Sequence, residues 1–291
     1  MRRYEFLLKN EFGDPLIFDS CYVLDPTHPD GEKFLRETYT YLKECGFSFY
    51  KLDFVSYLLE GETFYDKNAG PYDAIRKMLS IIRECVGNES HIMGCNLPYG
   101  TGYGYVDSRR YGLDIHNTFG HLIKCMEVAL PQMVTNGYSY QGDLDYLVVR
   151  GEETSAFDKF NVINPTKNYW KTHKYPDHFV WRCGDDFSYN EAKMWCILEL
   201  ISGSSLFLSD RLTKLNEKGL HLIKTTLENA KRNICEPIDY FENKIPSCWI
   251  NENTIAIINT KNRTKKFVIN KIENGEYEEI FSKQIYKINF I

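Results

Sequence analysis

The 291-residue sequence lacks several features that mark whole classes of protein. No run approaches the roughly 18 apolar residues of a membrane-spanning helix, and residues 1–5 contain no apolar signal core. No block of Lys and Arg occurs and the net charge is -5, so the electrostatic footprint of a nucleic-acid-binding protein is absent. We therefore expect a cytoplasmic protein that binds neither membranes nor nucleic acids.

Paired cysteines are also missing. The nine cysteines are odd in number and stand singly, without a C-x-x-C motif. Most lie inside apolar helix or strand patterns, as Cys85, Cys125 and Cys196 do, which predicts reduced thiols in a core. Because no two metal-ligating side chains share a helical turn or a tight knuckle, a zinc site is not predicted.

The sequence does contain an alternation of strand and helix patterns over most of its length. Apolar residues recur at helical spacing in residues 31–46, 72–86, 118–126, 191–201 and 220–230. Short apolar runs typical of buried strands occupy residues 47–54, 91–95, 146–149 and 206–208. This alternation predicts an α/β domain with a parallel sheet.

The pattern changes after Pro237. Short period-2 runs at residues 247–250, 254–258 and 266–269 are joined by turns rich in Asn and Lys, which predicts a small antiparallel β-domain. We therefore expect two domains, residues 1–236 and residues 237–291.

Polar residues follow consecutive predicted strands. Asp53 lies at the carboxyl end of one strand, Cys95 ends the next, and Asp114 lies in the segment after that. In a (β/α)8 barrel the active site is built at the carboxyl ends of the strands, so we expect these residues to share one site. Two carboxylates are what a retaining glycosidase requires, one as nucleophile and one to shuttle the proton.

Each residue alone is open to a simpler interpretation. Asp53 fits a catalytic role and an ion pair with Lys51, or a helix cap, equally well. Asp114 has Arg110 four residues before it, and such a pair taken alone favours a plain salt bridge.

For other residues the simpler interpretation is favoured or the choice stays open. A core position is favoured for Cys95 over a place in a pocket, and turn or capping roles are favoured for Asp143 and Asp145. Trp170 and Trp181, in a polar insertion, fit sugar stacking and loop anchoring equally.

Six motifs taken in order resemble glycoside hydrolase family 36, the α-galactosidases and their relatives. Each motif alone is weak, but their collinear order is specific, and the resemblance covers roughly residues 15 to 260. The motifs are Leu-Asp-Pro-Thr-His-Pro at 24–29, Tyr-Lys-Leu-Asp-Phe at 50–54, Met-Gly-Cys-Asn-Leu-Pro at 93–98, and the segments 106–114, 142–150 and 202–210.

The resemblance implies a (β/α)8 (TIM) barrel followed by a β-sandwich, and hydrolysis of terminal α-galactosides with retention. The nucleophile of the family falls on Asp53 and its acid/base on Asp114. The substrate-binding Lys and Arg fall on Lys51 and Arg110, the latter suited to a sugar 2-hydroxyl, and the pocket cysteine on Cys95. The implied ligand is an α-galactoside or oligosaccharide, and no metal or organic cofactor is implied.

The sequence departs from the family at several points. Matched to the family, it begins just before the fourth barrel strand, so we expect a partial barrel of about strands 4–8 and a shortened C-terminal β-domain. The Asp-Asp-Gly-Trp segment that holds the galactose 4- and 6-hydroxyls is missing with the first strands. Gly142 and Leu144 replace an Asn and a Pro of the family.

An open half-barrel exposes sheet edges and apolar surface, so we expect an oligomer or a complementing chain. Two further hypotheses follow. One is a non-catalytic remnant or a partner-dependent subunit of such an enzyme. The other is a related α-N-acetylgalactosaminidase or galactosyl transferase.

Overall fold

The structure is a computed structural model, and it describes residues 5–18, 20–156, 185–230, 234–260 and 275–288. Trp170, Trp181 and the predicted strand at 266–269 lie outside the described residues. The chain divides into two compact units: the first comprises Met1–Arg110 and Gly137–Gln141, and the second Tyr111–Asn136 and Gly142–Ile291.

The first unit contains a short antiparallel pair, two helices and a parallel sheet. The antiparallel pair is formed by Ile17–Phe18 and Cys21–Tyr22, and a 3-10 helix spans Val55–Glu60. The bounds are β1 Ile17–Phe18, β2 Cys21–Tyr22, α1 Pro29–Glu44, β3 Phe49–Leu52, α2 Pro71–Val86, β4 His91–Gly94 and β5 Ser108–Arg110.

The two helices of this unit begin at prolines with side-chain caps before or after them. Pro29 and Pro71 stand at the first helical turn, where their missing N–H groups cost nothing. His28 Nδ1 accepts a hydrogen bond from the backbone N–H of Asp30 at 3.1 Å. The carboxylate of Asp73 accepts one from the N–H of Gly70 at 2.9 Å.

The three strands of the first unit run parallel in the order β3, β4, β5. Residues of β3 pair in register with β4, from Phe49 opposite His91 to Leu52 opposite Gly94. Only alternate residues of β3 are buried, Tyr50 and Leu52. The prediction of a wholly buried strand was therefore wrong: Phe49 and Lys51 are exposed on the opposite face.

The second unit contains three helices, a parallel strand pair and antiparallel strands near the C-terminus. The strand Gln141–Asp143 begins with a residue of the first unit. Two 3-10 helices occupy Leu130–Thr135 and Leu212–Lys214. The bounds are α3 Phe119–Ala129, β6 Gln141–Asp143, β7 Tyr146–Leu147, α4 Tyr189–Ser202, β8 Phe207–Leu208, α5 Glu217–Asn229, β9 Glu236–Pro237, β10 Cys248–Ile250, β11 Ile255–Ile257, β12 Gly275–Glu278 and β13 Ile285–Ile288.

Local sequence explains where α4 begins and ends. Ser188 and Glu191 form a reciprocal capping box, in which each side chain accepts a hydrogen bond from the other residue's N–H. The helix ends at Gly203, whose φ of 66° lies in the left-handed region that glycine adopts without strain. Trp195 on this helix is buried, and its indole N–H donates to the carbonyl of Tyr146 on β7.

The C-terminal strands share the core of the second unit. Strands β9, β10 and β11 form one antiparallel sheet, and β12 pairs with β13. Trp249, Ala256 and Phe281 belong to the same buried cluster as residues of α3, α4 and α5. The compact units thus divide the chain elsewhere than at residue 237, and the predicted boundary there stays a prediction.

The predicted α/β architecture with parallel strands is confirmed, and so is antiparallel β structure after Pro237. The described strands do not close into a barrel. Strands β5 and β6 were not predicted. No helix in the described ranges is both long and apolar enough to cross a membrane.

Candidate functional site

The parallel register of the first unit aligns the ends of three strands. Leu52 of β3 pairs with Gly94 of β4, so Asp53 and Cys95 are the next residues on neighbouring strands. The backbone N–H of Cys95 donates to the carbonyl of Leu52 at 2.7 Å, which extends the ladder to this point. Arg110 is the last residue of β5, the strand beside β4. The structure therefore brings three of the predicted site residues to one edge of the sheet.

The pKa of the Cys95 thiol depends on the charged side chains around it. Burial, together with the charge and the hydrogen-bonding effect of the Asp53 carboxylate, raises the pKa of Cys95 to about 11. The positive charges of Arg110 and Lys51 act in the opposite direction. At neutral pH the thiol is therefore protonated. All four side chains lie close enough to interact at one site.

The structure agrees with the core position that was favoured for Cys95, whereas its place in a substrate pocket stays a prediction. Cys95 is only 5% exposed, and the charge of Asp53 acts on its thiol. Asp53 itself is exposed. An exposed carboxylate can contact a ligand, and the hydrogen bond from the N–H of Phe54 helps to fix its orientation.

The backbone turns sharply directly after Asp53. Oδ1 of Asp53 accepts a hydrogen bond from the N–H of Phe54 at 2.7 Å. Phe54 has φ 57° and ψ 24°, a left-handed conformation that is rare for a bulky residue. Its carbonyl accepts a hydrogen bond from the N–H of Tyr57 at 3.0 Å, so the conformation is fixed from both sides. Strained residues of this kind concentrate at functional sites.

The same turn recurs at the end of β4. Asn96, directly after Cys95, has φ 50°, and its carbonyl accepts a hydrogen bond from the N–H of Ser56 at 3.0 Å. The segments after β3 and β4 are therefore bonded to each other. Asp53 and Cys95 each precede a left-handed residue in this paired turn, which fixes the two side chains relative to one another.

The neighbouring charges Arg109 and Asp107 serve the architecture of this edge. Arg109 is buried, and its Nε and Nη2 donate to the carbonyl of Leu97 at 3.1 and 3.0 Å. Asp107 accepts from Arg83 at 2.6 Å and from the N–H of Ile92 at 2.7 Å. Of the two adjacent arginines, the sequence alone did not show which holds the loop and which acts on the thiol.

Asp114 lies in the second unit, in the segment between β5 and α3. Its side chain is exposed. Backbone contacts hold the segment on both sides of it. The Cys125 thiol donates to the carbonyls of Leu113 at 3.6 Å and Asp114 at 3.9 Å, and the N–H of Ile115 donates to Asp145 at 2.6 Å. The pairing of Asp114 with Asp53 stays a prediction.

Two other acidic residues of the second unit have structural contacts. Asp143 is buried, and its Oδ1 accepts from the N–H of Asp145 at 2.9 Å, in agreement with the favoured turn role. The buried carboxylate of Asp210 accepts from Arg150 Nη1 at 2.7 Å and from the N–H of Val149 at 2.6 Å. These acids hold strand ends and the segments beside them.

No protein-family model matches the sequence. Solved structures do match, and all three described here are enzymes that act on sugars. An α-galactosidase from Thermus thermophilus, solved with stachyose, is 17% identical with a TM-score of 0.53, over 78% of this chain and 45% of that chain.

Two enzymes with other substrates match equally well. A GH27 β-L-arabinopyranosidase from Geobacillus stearothermophilus is 14% identical with a TM-score of 0.53, over 77% of this chain and 47% of that chain. An isomalto-dextranase from Arthrobacter globiformis, solved with panose, is 13% identical with a TM-score of 0.53, over 92% of this chain and 47% of that chain.

These similarities define the class of fold: the chain shares its architecture with a group of glycoside hydrolases. The chain spans about half the length of the solved enzymes that it matches. Because those enzymes act on different sugars, the shared fold leaves the substrate open.

Proposed function

We propose that this chain is the catalytic portion of a retaining α-galactosidase-like glycoside hydrolase, related to family 36. The observation that carries the proposal is the cluster at the strand ends, in which Asp53, Cys95 and Arg110 follow neighbouring parallel strands and Lys51 acts on the same thiol. The fold that the chain shares with solved glycosidases supports a glycoside hydrolase, and the six sequence motifs favour an α-galactoside as the substrate.

In the proposed mechanism Asp53 attacks the anomeric carbon and Asp114 donates a proton to the leaving oxygen. Asp114 then activates water, which releases the sugar from the glycosyl–Asp53 ester. The N–H of Phe54 orients the attacking carboxylate, since it donates a hydrogen bond to Oδ1 of Asp53. Arg110 and Lys51 would bind sugar hydroxyls and stabilise negative charge at this edge.

A second candidate is a subunit that is active only with a partner chain. The observation that favours it is the sheet topology, since the described strands do not close into a barrel. In this case the cluster binds sugar, while turnover requires a second copy or a different chain.

Hydrolysis of 4-nitrophenyl α-galactoside by the purified chain tests the proposal, with the oligomeric mass measured on the same sample. We expect turnover that falls at least about a thousandfold in Asp53→Asn and in Asp114→Asn, since each removes a group that makes or breaks a bond. Proton NMR of the first product should show the α-anomer of galactose, as retention requires.

Asp14→Asn is the matched control because Asp14 is an exposed aspartate of the first unit, away from the strand ends. Full activity in Asp53→Asn would exclude Asp53 as the nucleophile, and β-galactose as first product would exclude retention. A folded chain without turnover would contradict a self-sufficient enzyme. If turnover then appears on adding a chain that supplies further strands, the subunit hypothesis is supported.

A further inference from the structure

An aromatic stack stands directly beside Asp53. The ring of Phe54 stacks on that of Tyr57, with centroids 5.1 Å apart and planes 29° apart. Tyr57 stacks in turn on Phe18 of β1 at 4.4 Å and 21°. Phe18 and Tyr57 pack against the buried cluster of the first unit. The outermost ring, Phe54, is therefore supported by two rings anchored in the core.

Phe54 is held with its ring towards solvent. The side chain is 56% exposed although it is large and apolar. Since Tyr57 covers one face, the exposed area lies on the other face and the ring edge. The ring is held in this position by a left-handed backbone, a conformation that is rare for a bulky residue and is found mainly at functional sites. The supported, exposed ring has the form of a binding platform.

The position of the Phe54 ring indicates which part of the substrate it would contact. The N–H of Phe54 donates to Oδ1 of Asp53, so ring and carboxylate belong to adjacent, mutually fixed residues. In the displacement proposed above, the leaving group departs on the side of the anomeric carbon opposite to the carboxylate. The group nearest to Phe54 is therefore the sugar under attack, and the apolar C–H face of a sugar ring complements an aromatic face.

We propose that Phe54 is a binding platform for the sugar ring attacked by Asp53, with Tyr57 and Phe18 as its support. The inference rests on the proposed function. It adds a residue that binds the sugar by its apolar face, where Lys51 and Arg110 would bind hydroxyl groups.

Binding of free galactose to the full chain tests this platform by saturation-transfer NMR. Phe54→Ala should raise the Kd about tenfold, in line with the loss of one aromatic contact, while Phe54→Tyr keeps the ring and should retain affinity. Phe49→Ala is the matched control: Phe49 is 43% exposed and stacks on His91 at 4.9 Å, but it begins β3, at the end opposite to Asp53. It should leave the Kd unchanged.

Turnover adds a second readout that fixes the position of the ring. Phe54→Ala should lower kcat/KM by the same factor for methyl and for 4-nitrophenyl α-galactoside, because the attacked sugar is common to both. A loss confined to the nitrophenyl substrate would move the ring to the leaving-group side and overturn the proposal. An unchanged Kd in Phe54→Ala, or no galactose binding by the folded wild-type chain, would overturn it as well.

The two proposals can fail separately. If Asp53→Asn abolishes turnover but Phe54→Ala changes neither Kd nor kcat/KM, the hydrolase proposal stands and the platform is wrong. If galactose binds in a Phe54-dependent manner while Asp53→Asn keeps full turnover, the platform is supported as a sugar site and the nucleophile assignment is wrong.

Discussion

The protonation of Cys95 offers a test of the strand-end cluster that does not depend on activity. Burial, the charge of Asp53 and the hydrogen bond with Asp53 together raise the pKa of the thiol to about 11, against the opposing charges of Arg110 and Lys51. Asp53→Asn removes one charge that raises the pKa, so the pKa of Cys95 should fall. Arg110→Gln removes a charge that lowers it, so the pKa should rise.

The size of the effect follows from the thiolate population. At pH 8 a thiol with a pKa of about 11 is ionised in about 1 molecule in 1,000, whereas an ordinary thiol is ionised in roughly one in four. The thiolate population of Cys95 at this pH should therefore be about 200-fold smaller than that of an ordinary thiol. In Asp53→Asn the thiolate population should rise by up to about tenfold, because burial, the largest cause, remains.

The assay is alkylation with isotope-labelled iodoacetamide between pH 7 and 10, followed by mass spectrometry of the Cys95 peptide. Burial slows the reagent at every pH, so the shape of the pH profile, rather than the absolute rate, reports the pKa. The wild-type rate should rise about tenfold for each step of one in pH throughout this range. Exposed Cys45 in the same unit is the internal reference, and its profile should be the same in every variant.

Two results would refute the reasoning. A plateau in the Cys95 rate below pH 9 would show that the thiol is not buried beside a carboxylate. Identical profiles in wild type, Asp53→Asn and Arg110→Gln would show that neither charge acts on the thiol. The interaction of these side chains at the strand ends, on which the proposed function rests, would then be contradicted. Asp14→Asn should behave as wild type.

Two stability predictions concern the architecture around the site. Leu222→Ala should destabilise the chain by about 2–5 kcal/mol because Leu222 is fully buried on α5. Leu220 lies on the same helix but is 42% exposed, so Leu220→Ala should destabilise the chain by less than about 0.5 kcal/mol. Urea unfolding measures both, and equal losses would contradict the packing of α5. Arg109→Ala should cost about 1–3 kcal/mol by leaving the carbonyl of Leu97 without its donor, and an unchanged unfolding midpoint would show that the bond contributes nothing.

Much of the secondary structure could be predicted because its cause is local. The apolar periods of residues 31–46, 72–86, 191–201 and 220–230 correspond to α1, α2, α4 and α5, with ends that differ by a few residues. Helices α1, α2 and α5 bury one face at that spacing, α4 is recognised by its apolar composition, and prolines, a capping box and glycine mark helix ends. Strands β3 and β4 are recognisable since they are short apolar runs between turns.

Strands β5 and β6 could not be predicted because nothing local specifies them. Ser108–Arg110 and Gln141–Asp143 are polar, without an apolar run or a clear alternation. They are extended because a neighbouring chain segment offers hydrogen bonds, as Met93 does opposite Ser108. Their charges can be buried only because distant partners exist, such as the carbonyl of Leu97 for Arg109.

The sequence by itself determined the candidate residues of the site, from carboxylates after apolar strands and from the order of six motifs. Only the tertiary structure decided that Asp53, Cys95, Arg110 and Lys51 act on one another, because the register of parallel strands depends on residues about 40 positions apart. The exposure of Phe54 was equally invisible in the sequence, where it is one more apolar residue at a strand end. Its left-handed backbone and the stack beneath it arise from contacts with Tyr57 and, through that ring, Phe18, which no local pattern encodes.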